Sequence, residues 1–268
     1  PNTSSAASDV YKRQEYDKVR AQVADTESTG FCNVTGGSRT TFATGMAVTR
    51  ACEDVIAECK KRAAMTWGLD EDQVEWEDGQ AIPGPGVNAD VKALSLADLA
   101  GKAAKTGGPI QGRASLNAQG AGASFSVNFG DLRVDQETGK VDVLSYTAVQ
   151  DAGKAIHPSY VEGQMQGGAA QGLGWALNEE YIFSDDGVLQ NAGFLDYRIP
   201  VCSDLPMIDT SIVEVANPSH PYGVRGVGET PIVAPLAVAA NAVSRSLDMR
   251  ICKLPLSPPN LLEAIDGE

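Results

Sequence analysis

Apolar residues recur at helical spacing in the first third of the chain. Val48, Cys52, Val55, Ile56, Cys59 and Ala63 share one stripe, while Arg50, Glu53, Glu58 and Arg62 face away. The pattern predicts an amphipathic helix with its two cysteines packed inside. Ahead of it, Val19, Ala21 and Val23 alternate with charge and predict a short strand from Tyr16 to Ala24. Beyond it, the run from Val74 to Gly79 reads as a strand entering an Asp-Gly hairpin turn. Ser95, with Asp98 three residues on, is placed to cap a short helix reaching Lys105. Glycine and proline mark loops at 83–86 and 106–112.

From Ser124 the period changes to two. Phe125, Val127 and Phe129 alternate, then Leu132 and Val134 take the opposite parity, which predicts a bulge at Gly130-Asp131. A turn over Asp135 to Lys140 leads to a second strand, Val141 to Val149, completing an antiparallel hairpin. His157-Pro158-Ser159 opens a helix running to about Leu177. Strands are expected at Glu180 to Phe183 and Ile208 to Val215. A small-residue helix follows from Val233 to Ser246, then a terminal helical turn from Pro258 to Ala264. Strands and helices do not alternate regularly, so the class is α+β.

Composition narrows the functional classes. The 268 residues are 43% hydrophobic and 21% charged, as in globular proteins, and carry a net charge of −14. That sign argues against a nucleic acid or an anionic membrane as partner. No apolar run approaches the roughly 20 residues of a membrane span. Cys32, Cys52, Cys59, Cys202 and Cys252 form no Cys-x-x-Cys pair, which argues against zinc or iron–sulfur sites in this chain. Their odd number suits reduced thiols in a cytoplasmic protein. Two histidines, His157 and His220, exclude a multi-histidine cage, so any metal must arrive in an organic cofactor. Residues 1–14 read unlike the rest and resemble a non-native or assembly-scar segment, with one domain expected over 15–268.

Three segments carry candidate chemistry. Gly226-Val227-Gly228-Glu229-Thr230-Pro231 sets a carboxylate on a glycine-hinged turn before a helix. Such an acid is either a solvated turn residue or a base aimed into a cavity. The helix after His157 holds five glycines between Gly163 and Gly174, interleaved with Gln164, Gln166 and Gln171. Each interior glycine costs about 0.8–1 kcal/mol relative to alanine, so a compensating contact is required. Tight helix packing and a ligand laid on bare backbone both answer that need. Gly36-Gly37-Ser38-Arg39-Thr40-Thr41 precedes a helix, where it can cap the helix or hold an anion. His157, ahead of a proline at a helix start, suits a cap, and His220 is either a loop residue or part of a pocket lining.

Taken in order, these segments resemble the large, molybdenum-binding subunit of the xanthine dehydrogenase family. That family includes aldehyde oxidoreductases and aerobic carbon monoxide dehydrogenase. The resemblance rests on Thr35-Gly36-Gly37-Ser38-Arg39-Thr40, then Asp151-Ala152-Gly153-Lys154-Ala155-Ile156-His157-Pro158. It continues through Glu162-Gly163-Gln164, Gly167-Gly168-Ala169-Ala170-Gln171-Gly172-Leu173-Gly174, Gly223 to Glu229, and Leu254-Pro255-Leu256-Ser257-Pro258. It implies an α+β fold, the second, C-terminal molybdopterin-binding domain of a molybdenum hydroxylase, truncated at its N-terminus. Glu229 matches the catalytic glutamate. Gln164 matches a glutamine beside the metal, and Gly167, Gly168 and Gln171 share its stripe. Gly37, Ser38, Arg39 and Thr40 match a pterin-binding loop, and Arg225, Gly226, Val227 and Gly228 supply backbone near the metal.

The implied cofactor is molybdopterin in its cytosine dinucleotide form, which holds the molybdenum without direct protein ligands. Iron–sulfur (2Fe-2S) and FAD subunits are the implied partners, in a dimer of heterotrimers. The implied reaction hydroxylates an electron-poor carbon of a heterocycle or aldehyde-type substrate with oxygen from water, and the chain alone is expected to be inactive. A non-catalytic scaffold or assembly module is the alternative.

Overall fold

The computed structural model describes residues 16–23, 25–27, 30–32, 34–87 and 90–267. The segment 1–14 and the expected boundary at residue 15 lie outside the described residues. The chain separates into two compact units. One holds the described residues up to Thr35 together with Thr40–Gln119, and the other holds Gly36–Arg39 and the chain from Gly120 onward.

The first unit is built on helix α1, Thr40–Trp67. Cys52, Cys59, Ala63 and Ala64 of α1 are buried, and Cys59, Ala63 and Ala64 pack with Val74, Ala81 and Leu99. Strands β1, Val74–Glu77, and β2, Gln80–Pro83, pair antiparallel across the Asp78-Gly79 turn, and β3, Leu94–Ser95, extends the sheet. Asp78 and Gly79 both take positive φ, 46° and 78°, as a two-residue hairpin turn requires. Ser95 caps α2, Leu96–Gly101, in a reciprocal capping box with Asp98, and α3, Ala103–Thr106, follows.

Two expectations fail in this unit. Residues 16–23 form a 3-10 turn at Tyr16–Lys18 and no strand, and no strand among the described residues pairs with their backbone. Arg62 does not face solvent: it is 4% exposed. Its guanidinium pairs with Glu58 at 2.6 Å and donates to the Gly108 carbonyl at 2.7 Å. Those partners reward burial of a charge that periodicity alone assigns to the surface.

The second unit contains a sheet of β4, Ser126–Val134, β5, Val141–Asp151, and β6, Ile208–Val213, in that order. β4 and β5 pair antiparallel and β5 and β6 parallel. The register shifts where the bulge was expected, but the extra residue is Leu144, on β5. Strand β4 keeps strict alternation throughout. Its parity change arises because Phe125, Val127 and Phe129 lie exposed in the first half, whereas Leu132 and Val134 face the core in the second.

Helices α4, Pro158–Leu177, and α5, Thr230–Leu247, pack with the sheet, and α6, Pro258–Asp266, adds Leu261 to the core. Met165, Ala169, Leu173 and Ala176 give α4 one wholly buried stripe. On α5, Pro231, Pro235, Ala239 and Val243 recur every four residues and are buried. The expected strand at Glu180 to Phe183 is absent but for a bridge between Phe183 and Leu189. There the Asn191 side chain accepts from Ile182 N–H and donates to the Glu180 carbonyl, taking the place of a strand partner.

Candidate functional site

The segment from Ala216 to Glu229 is irregular backbone, so its shape depends on side-chain anchors. Asp151, the last residue of β5, accepts from Gly153 N–H at 2.9 Å and Val215 N–H at 3.1 Å and pairs with Arg225 Nε at 3.1 Å. Arg225 further donates to the carbonyls of Val215 and Ala123. Its guanidinium therefore anchors the segment, and only its backbone remains for a ligand. Asn217, 4% exposed, donates to the carbonyls of Gly120, Ala121 and Val224. Glu214 accepts from Lys154 Nζ and Ala155 N–H, contacts that hold its carboxyl below the usual range.

The two histidines serve local structure. His220 is buried and its Nδ1 accepts from Tyr222 N–H, closing its own turn. His157 occupies the N-cap position of α4, 3.1 Å from the Ser159 hydroxyl, and stacks on Tyr160.

Past these anchors, four expected residues converge. Glu229 takes the N-cap position of α5, and its N–H donates to Ser38 Oγ at 2.8 Å. Ser38 and Gly37 both have positive φ, 55° and 65°. For serine this conformation carries a cost of roughly 1–2 kcal/mol, the kind of strain that gathers at working sites. A methyl group on Gly226 would stand 2.8 Å from Ser38 Cβ, and one on Gly228 would stand 3.1 Å from Gln164 Oε1 and 3.5 Å from Ser38 Oγ. Glycine at 226 and 228 is thus what lets the 36–39 loop and α4 close around this turn. The Glu229 carboxylate is exposed and makes no capping hydrogen bond. Val227 sends its side chain to the core, leaving its backbone at the turn.

The glycines of α4 divide into two sets. Around Gly163 and Gly167 the added-methyl position is open, and both lie exposed beside Gln164 and Gln171. Gly168 is different. It is buried, with the Pro231 ring 2.8 Å from the position a methyl would take, so it packs against α5. A spacing of four keeps Gly168 within one helical stripe of Gln164, but Pro231 covers it, so it packs on α5 where Gly167 stands open. Gly172 meets the Ile232 carbonyl and the Pro235 ring, and Gly174 meets Glu179 and Pro200.

Arg39 follows Ser38, half-buried, and Thr40 is the first residue of α1 in the other unit. One residue escaped the sequence reading altogether. Gln150, 1% exposed on β5, directs its amide nitrogen at the carbonyls of Gly226 and Val227, 3.4 and 3.3 Å away. Nothing in its spacing marks it, since the turn it meets lies 76 residues later.

Comparisons with known proteins show the family and the fold. The family model for the molybdopterin cofactor-binding domain matches residues 5–206. The xanthine dehydrogenase molybdenum-binding subunit of Escherichia coli O157:H7 is 37% identical over 174 residues, 63% of this chain and 23% of the relative. The gamma subunit of the 6-hydroxypseudooxynicotine dehydrogenase complex of Paenarthrobacter nicotinovorans is 28% identical over 244 residues, 86% of this chain and 30% of the relative. The crystal structure of quinoline 2-oxidoreductase from Pseudomonas putida 86 aligns with a TM-score of 0.78 and 26% identity, covering 99% of this chain and 35% of that one. The chain therefore spans about a quarter to a third of the length of these proteins.

Proposed function

The chain belongs to the molybdopterin cofactor-binding domain family, and on that premise we propose that it forms one wall of the active site of a molybdenum hydroxylase, with Glu229 as general base. The convergence of Ser38, Gln164, Gly228 and Glu229 at the start of α5 carries this reading. The residues present fit a molybdopterin group. Bare backbone at Gly36, Gly37, Gly163 and Gly167 offers close approach, because a methyl at any of them would meet no atom of the described residues within 4 Å. Gln164 adds an amide that can both donate and accept.

Ser38, Arg39 and the N–H groups of the glycine loop would hold the pterin, in its cytosine dinucleotide form, and Gln164 would stand beside the metal end. When bound, the cofactor supplies the redox centre and the oxygen-transfer chemistry. The protein's part is to orient the substrate and to move one proton. Glu229 Oε takes the proton released as water-derived oxygen attacks an electron-poor carbon of a heterocycle or aldehyde. Its backbone, fixed by Ser38 on one side and the first turn of α5 on the other, sets where that carboxylate reaches.

The proposed redox chemistry needs an onward path for its electrons, which favours iron–sulfur and FAD subunits as partners in a cytoplasmic complex. Exposed Phe125, Val127 and Phe129 on one sheet face, and fully exposed Phe194, support further protein packing against this unit.

The test is Glu229→Gln in the cofactor-loaded enzyme. The amide keeps the shape and loses the proton acceptor, so turnover is expected to fall about 10²–10⁴-fold at normal molybdenum content. Near-normal turnover at full loading removes Glu229 as the base. The scaffold alternative forecasts an effect on assembly alone.

A further inference from the structure

Gln150 does something that neither the family's motifs nor the pattern of the strand requires. It sits at the centre of the sheet, between Ser126 on β4 and Ile212 on β6, and is almost wholly buried. Its Nε2 reaches the Gly226 and Val227 carbonyls and, at 3.5 Å, Ser124 Oγ. The amide's orientation follows from these neighbours: turned over, its oxygen would face two carbonyl oxygens. The chosen orientation leaves Oε1 buried without a hydrogen-bond partner. A buried acceptor left unpaired costs about 1–3 kcal/mol, so a sheet built for stability alone is better served by an apolar side chain.

The return lies in the turn. A trans peptide points its C=O and its N–H in opposite directions. Drawing the carbonyls of Gly226 and Val227 toward Gln150 therefore turns the N–H groups of Val227 and Gly228 away from the core. The next N–H, that of Glu229, then meets Ser38 Oγ. The turn is gripped from beneath by one side chain and from above by another, and glycines on both sides of Val227 give it little stiffness of its own.

We infer that Gln150 is a positioning residue, which fixes the reach of the Glu229 carboxylate by holding the Gly226–Val227 and Val227–Gly228 peptide groups. The inference rests on the reading of Glu229 as the base, but the geometry of the turn can be measured apart from that reading.

Gln150→Met keeps the side-chain length and removes the donor. In the 268-residue chain, amide hydrogen exchange at Glu229, whose N–H is held by Ser38 Oγ, is expected to quicken at least about tenfold, since the opening of a segment sets its exchange. Protection in β5 and in α5 beyond its first turn should stay as it was. In the cofactor-loaded enzyme the same variant should lose roughly 10- to 100-fold in kcat, as ångström-scale misplacement does, with KM within about twofold. Gln150→His, which retains a ring N–H, should recover most of the loss.

Unchanged exchange at the turn overturns the inference, as does a quickened turn with full kcat. Glu229→Gln measured alongside separates the two readings, because full activity there removes the base while the exchange result still decides what Gln150 holds. If Gln150→Met does not fold, Gln150→Glu takes its place in the same measurements. If neither folds, Gln150 supports the sheet as a whole, and the inference is overturned in that case too.

Discussion

Two faces of α4 use the same residue for opposite ends. Gly168 and Gly172 are pressed against Pro231 and Pro235, four residues apart on each helix, so that the proline ridge of α5 seats in a glycine groove. At Gly163 and Gly167, on the exposed face, an added methyl would meet no atom of the described residues within 4 Å beyond their own helix. Helix propensity penalises every interior glycine about equally, by 0.8–1 kcal/mol or so. On the first face, close packing offsets that penalty. On the second no contact among the described residues offsets it, and those two glycines flank the amide that approaches the Glu229 turn. A stability cost without a packing return, placed beside a candidate base, is how a binding face differs from a core face.

The comparison breaks most visibly at Gly172. An alanine methyl there would run into the Ile232 carbonyl and stand 2.8 Å from Pro235. Backbone cannot rotate aside as a side chain can, so Gly172→Ala should destabilise the second unit by about 3 kcal/mol, the upper range for overpacking. In thermal unfolding that is a fall of roughly 6–12 °C, checked by calorimetry or circular dichroism. A change below about 1 kcal/mol would show that α4 and α5 can slide apart, and the groove would lose its claim to specificity.

Gly168→Ala probes the same face with a softer neighbour. The clash is with the Pro231 ring at 2.8 Å, a side chain in the first turn of α5 in place of the backbone carbonyl met at Gly172. The expected loss is about 1–2 kcal/mol, since the methyl's helix propensity recovers part of the overpacking. Denaturant titration of the two alanine variants should rank Gly172 above Gly168, and a reversed order contradicts the groove described here.

The division between these faces shows what a sequence can and cannot disclose. Local chemistry was readable: the Asp78-Gly79 turn, the Ser95 cap and the Gly226-Val227-Gly228-Glu229 turn all depend on residues within a few positions of one another. The glycine count in α4 announced that compensation was needed. Which glycine received which compensation depended on Pro231 and Pro235, some 60 residues away, and remained open. Arg62 and the segment from Glu180 to Phe183 failed for the same reason. Partners at Gly108 and Asn191 replaced the solvent and the strand that local pattern supplied. Gln150 was invisible because a lone glutamine in an alternating strand has no signature until the chain brings a carbonyl to it. The candidate base was legible through a motif, and its support was not.

Gly167→Ala gives the smallest effect and the sharpest contrast, because its sign is opposite. The added methyl meets no atom of the described residues within 4 Å, and alanine removes backbone freedom from the unfolded chain. The chain itself should therefore gain about 0.5–1 kcal/mol, seen as a small rise in the denaturant midpoint with no change in slope. The same methyl stands on the face where bare backbone would meet the pterin. Enzyme carrying this variant should therefore be more stable when empty and retain less molybdenum after loading and desalting. Stability that rises together with a full molybdenum complement would move the ligand off this face. It would leave Gly167 as a glycine whose cost nothing in the protein explains.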